Sequence, residues 1–141
     1  MAKQKLIWSV DSDFLLAAIY TQEKLYRLAW LLNDNLNMNF CRLDDIKIAL
    51  QKNMDESEHH LYLFENELEE WSLTLLKNQG TGGLLLKVNP LPAVILKAEG
   101  ELSAKMFNKI EKFAKQDESI QLFNKIDTEK IKDKERFIFN V

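Results

Sequence analysis

His59 and His60 are the only histidines in the chain, and with Cys41 they are the residues best suited to metal binding or nucleophilic chemistry. Their spacing argues against both. Neighbours on a strand point to opposite faces, so the two imidazoles do not share one ion. Asp55, Glu56 and Glu58 stand close by as oxygen ligands, but acids ahead of a strand read as a solvated turn. No local motif pairs Cys41 with a histidine. The glycine-rich piece Gly80-Thr81-Gly82-Gly83 leads into an apparent strand rather than a helix, and no Gly-Lys-Ser/Thr follows. It reads as a hairpin turn needing positive φ, not as a phosphate cradle. Glu65, Glu67, Glu69 and Glu70 fall in a turn with no apolar pocket to raise a carboxyl pKa. No catalytic, cofactor-binding or metal-binding residue is assigned.

One surface feature stands out. On the helix that follows Thr21, the residues Tyr26, Trp30 and Asn33 form a stripe at i, i+4, i+7 beside a leucine stripe, with Leu31 farther round and expected to be exposed. Aromatic rings with an amide suit a partner or a self-interface. Tyr26, Trp30, Leu31 and Asn33 are therefore the candidate interaction surface.

The elements that must position these residues follow from hydrophobic period. Leu6, Trp8 and Val10 alternate as a first strand. Phe14 to Tyr20 is helix or buried strand, and Ala17 and Ala18 favour helix. Thr21 serves as N-cap of a helix with Leu25, Leu28, Ala29, Leu32 and Leu36 on one face, ended by Asn37 in the left-handed conformation. Asp44-Asp45 opens a short helix or strand. Strands follow at His59–Glu67, Trp71–Asn78, Gly83–Val88 and Ala93–Glu99. In the second of these, Trp71, Leu73 and Leu75 face one way and Ser72 and Thr74 the other, predicting a sheet wet on one side. Glu101 to Lys115 is a second amphipathic helix, with Leu102, Met106, Ile110 and Phe113 inward and lysines outward. Ser119–Ile126 returns as a strand, and an apolar tail closes the chain.

The expectation is one α+β domain over residues 1–141: an antiparallel sheet of about five to seven strands with two main helices packed on one face. A net charge of −3 offers no electrostatic footprint for nucleic acid. A single cysteine, no secretory h-region and no apolar run of roughly 18 residues predict a cytoplasmic protein without a membrane partner.

The run Glu23-Lys24-Leu25-Tyr26-Arg27-Leu28-Ala29-Trp30-Leu31-Leu32-Asn33 with Leu36, the Asp44-Asp45 pair, and the closing Ile126-Asp127, Lys130-Ile131-Lys132 and Phe137-Ile138-Phe139 resemble a bacterial family of unknown function. That family is labelled by an Ile-Pro-Glu, three residues, Val-Asp-Tyr motif (the IPExxxVDY family). The resemblance spans nearly the whole chain. The naming motif is not retained: Leu85 to Ala93 stands in its place, and Asn89-Pro90-Leu91-Pro92 reads as a structural turn. The resemblance implies a cytoplasmic housekeeping setting and transfers no catalytic residue. The function expected is a non-catalytic protein–protein interaction module that self-associates as a homodimer. The alternative is a small-ligand protein, binding a nucleotide or acyl metabolite, or an enzyme, with its pocket between helix and sheet.

Overall fold

The computed structural model describes residues 14–51 and 55–139. The strand expected at Leu6 to Val10 lies outside them. Six strands form one sheet: β1 (Phe14–Thr21), β2 (Cys41–Ile48), β3 (Ser57–Asn66), β4 (Trp71–Lys77), β5 (Val94–Glu99) and β6 (Ile120–Ile126). Their order is β2-β3-β4-β5-β1-β6, and every pairing is antiparallel. Two helices, α1 (Leu25–Leu36) and α2 (Ser103–Gln116), complete the α+β fold. The first strand is inserted between β5 and β6, so α2 carries the chain over β1. The other helix, α1, carries it from β1 to the far edge at β2.

Both helices bury their apolar stripes on the same face of the sheet. Leu25, Leu28, Ala29 and Leu32 of α1 meet Leu73, Leu75 and Leu96, as their spacing requires. Asn37 ends α1 at φ 56, ψ 45 in the left-handed conformation. In α2 the buried positions are Ser103, Phe107, Ile110 and Ala114. The inward stripe is thus turned from the expected one. Ile110 is at its centre, Met106 and Phe113 flank it, and Leu102 precedes the helix and is exposed.

Three expectations are corrected. Residues 14–21 form a strand, not a helix, because β5 and β6 pair with both its edges, while Ala17 and Ile19 are buried under the helices and Phe14 and Leu16 on the opposite face. Such a strand shows neither the two-residue nor the helical period. Residues 83–88 form no strand. A lone bridge joins Gln79 to Leu84, and 78–93 is otherwise irregular, with a cis Asn89–Pro90 bond. The sheet is not wet on its second face either. Thr74 and Leu76 are buried there with Phe14, Leu16, Leu61 and Ile95 of the neighbouring strands, beneath Leu85, Leu86 and Phe137. This cover is irregular chain. Arg136, within a 3-10 turn (Lys134–Phe137), donates to the carbonyls of Leu50 (2.7 Å) and Leu85 (3.0 Å) and ties the cover down.

Candidate functional site

The residues expected to form an interaction surface divide on folding. Tyr26 and Trp30 are 63% and 50% exposed, one turn apart on α1, with the Arg27 guanidinium 4.6 Å from the Trp30 ring centre. Leu31 is not exposed. It retains 9% of its surface and faces inward, because α1 packs across enough of the sheet to bury a wider stripe than the five positions counted from spacing. Asn33 is committed within the chain: its Nδ2 donates to Phe40 O (3.0 Å) and its Oδ1 accepts from Phe40 N (2.7 Å). That pair fixes the turn from α1 into β2. Thr21 does not cap α1. Its hydroxyl accepts from Glu23 N within the turn and donates to Ser119 O, and Lys24 occupies the cap position without a side-chain bond.

A cleft of about 550 Å3 opens between the start of α1 and the helix-covered face of the sheet. Its wall is Lys24, Leu25 and Tyr26, and its floor includes Arg42 of β2, His60 and Tyr62 of β3, Lys77 of β4 and Val94 of β5. Strand alternation sets the floor. His60 and Tyr62 share one face of β3, while Ser57, His59 and Leu61 point to the other and are buried. A bulge completes it. Leu43 pairs with Leu61 and Ile46 with His59, so Asp44 and Asp45 together oppose the single residue His60. The extra residue sets the Asp45 carboxylate against the imidazole: Asp45 Oδ1 accepts from His60 Nδ1 (2.8 Å) and from Arg42 Nη2 (2.9 Å). Arg42 Nη2 also lies 2.7 Å from His60 Nδ1, and the shared carboxylate holds the two donors together. The hydrogen bond from His60, with Arg42 beside it, keeps the Asp45 carboxyl below its ordinary value. With Nδ1 spent on Asp45, Nε2 is the ring nitrogen of His60 without a hydrogen bond among the described residues.

The cleft is electropositive. Lys24, Arg42 and Lys77 line it against one carboxylate, Glu23, which faces Arg27 at 3.8 Å. Among the described residues neither Lys24 nor Lys77 belongs to an ion pair. The helix above adds to this field. Its cap residue is a lysine and its first turn holds no acid, so Glu23, drawn to Arg27, is the carboxylate next to the positive end of the α1 dipole. Such a local conflict with helix preference is common where a site binds something.

His59, on the opposite face, is fully buried. Its Nδ1–H donates to Lys77 O (2.8 Å), and Nε2 meets no hydrogen-bond partner among the described residues. Burial pushes its pKa below the ordinary value, against the pull of the Lys77 carbonyl and Asp45. Gly80 packs on this ring so closely that a Cβ there would lie 2.4 Å from Cε1 and Nε2. The glycine-rich loop therefore serves packing: Gly80 by its closeness to His59, and Gly83 by its φ of 145°.

No group of His, Cys, Asp and Glu suited to a metal occurs among the described residues, and no helix there is long and apolar enough to cross a membrane. Comparisons with protein-family models, curated proteins and solved structures find no match.

Sequence reasoning missed Arg42, His60, Tyr62 and Lys77 as a group. The two-residue period placed His60 and Tyr62 on one face, which was the single available signal. Arg42 and Lys77 join them only through strand pairing.

Proposed function

We propose that this protein is a small-molecule-binding domain that takes an anionic ligand in the cleft beneath the start of α1. The observation that carries this reading is convergence. Lys24, Arg42 and Lys77 come from three separate elements or turns and line one cleft, in a chain whose net charge is −3. Cations gathered in that way, against the overall charge, favour a negatively charged occupant.

Thermal unfolding in the presence of phosphorylated and carboxylated metabolites tests it. At least one anion should raise the melting temperature saturably, as binding to the native state requires. The Arg42→Ala/Lys77→Ala double variant should keep a native circular dichroism spectrum and lose the rise. No rise with any anion, or an undiminished rise in the variant, overturns the reading.

A second reading, self-association through α1, is favoured by the exposure of Tyr26 and Trp30 on one side of that helix. Light scattering is the measurement. A dimer that falls to a folded monomer on Trp30→Ala supports it, and a monomer in both proteins ends it. Leu31→Asp is no test of a surface, since it would place a charge in the core.

The proposed membership in the IPExxxVDY family fits a structural role for Leu85 to Ala93. Leu85 and Leu86 sit in the cover of the second face, and Asn89 to Leu91 are exposed.

A further inference from the structure

We infer that the ligand joins a phosphate monoester to a flat heteroaromatic ring through a sugar-sized spacer, the chemistry of a nucleoside monophosphate; this rests on the anion-binding reading above. Three features of the cleft select it. The first is charge. Arg42 is already shared with Asp45 at 2.9 Å, which leaves Lys24 and Lys77 as the two cations without a partner among the described residues. Lys24 caps the N-terminal end of α1, whose first turn holds no acid. A phosphate monoester dianion answers two cations, whereas a single carboxylate leaves one unmet.

The second is the flat surface. Tyr26 projects from the wall and Tyr62 lies in the floor, with the Arg42 guanidinium 6.0 Å from the Tyr62 ring centre. Phenol rings and a guanidinium plane in one cleft suit a heteroaromatic ring, which stacks on each of them. The third is size. A cleft of about 550 Å3 lies within the usual range for a small ligand, roughly 300–1,000 Å3, and suits one nucleotide. Nucleic acid is disfavoured by the net charge of −3, because an extended polyanion needs a basic track beyond a single cleft.

Isothermal titration of the full chain at low salt, with the four common ribonucleoside 5′-monophosphates, is the test. Each is compared with its own nucleoside, and inorganic phosphate and citrate serve as controls. The best monophosphate should bind at least tenfold more tightly than its nucleoside or inorganic phosphate. Lys77→Ala should weaken the monophosphate at least tenfold while leaving the nucleoside unchanged. Tyr62→Leu should weaken both monophosphate and nucleoside while leaving inorganic phosphate unchanged, with circular dichroism confirming that each variant folds. Phosphate or citrate binding as tightly as every monophosphate, with dependence on Lys77, overturns the flat-ring assignment and leaves the anion cleft standing. A nucleoside binding as tightly as its monophosphate overturns the phosphate assignment. Binding of none of these compounds overturns this inference, and absence of a response to any anion in the thermal screen removes the reading beneath it.

Discussion

Asn78 should be the polar residue on which the second face of the sheet depends. It is 1% exposed, at the exit of β4, and its side chain makes three hydrogen bonds. Nδ2 donates to Leu86 O and Pro92 O, both at 3.0 Å, and Oδ1 accepts from Leu86 N at 2.8 Å. These bonds fold residues 78–92 back over the sheet and set Leu85 and Leu86 against Leu76 and Ile95. Asn78→Ala removes all three and strands one amide and two carbonyls out of water. At about 0.5–1.5 kcal/mol for each bond, with more for groups left unpaired, the loss should be about 2–4 kcal/mol. In urea, where the slope is about 1–3 kcal/mol per molar, that moves the unfolding midpoint down by about 1–2 M. Asn78→Asp should be worse at neutral pH, because a carboxylate would face two carbonyl oxygens. A loss under about 1 kcal/mol for the alanine variant would refute the account. So would an aspartate variant at least as stable as the alanine one, since donation from Nδ2 would then contribute nothing.

Two further effects follow from buried bases. His59 is held below its ordinary pKa of 6.5 by burial, so the unfolded chain takes up a proton there before the folded one does. Stability should therefore fall as pH drops below about 6.5, with the full loss reached below the folded pKa. His59→Gln should flatten melting temperature against pH between 7.5 and 5, and parallel curves for the two proteins would exclude this cause. Lys97 is 3% exposed, with Nζ 3.0 Å from Glu99 Oε1 and 4.2 Å from the Phe139 ring centre. Burial lowers its pKa, and Glu99 opposes the shift. Lys97→Met should be neutral or stabilising by about 1–2 kcal/mol at pH 7. The folded state is the one that resists protonation, so wild-type stability should gain on the variant as pH rises towards the ordinary lysine value. A loss above about 1 kcal/mol on Lys97→Met in urea unfolding would show instead that the Lys97–Glu99 pair is net stabilising.

Sequence alone determined the features that depend on near neighbours. The leucine spacing placed α1, and Asn37 ended it, because both follow from helical geometry and the steric ease of a left-handed asparagine. Apolar runs bounded by turns placed β3, β4 and β5, and the two-residue period put His59 and His60 on opposite faces, which the fold provides as one buried ring and one exposed ring. What depends on distant partners was decided only by tertiary structure. Phe14 to Thr21 is a strand because β5 and β6 pair with it from elsewhere in the chain, overriding the helical preference of Ala17 and Ala18. The cover on the second face is irregular and held by Asn78 and Arg136, whose partners share no period that spacing reveals. The cleft belongs with these. Arg42, His60 and Lys77 lie on neighbouring strands in the order β2-β3-β4, and the bulge at Asp44 and Asp45 turns one carboxylate onto His60. Residue types in a sequence set what each side chain can do, and strand order and register set which of them meet.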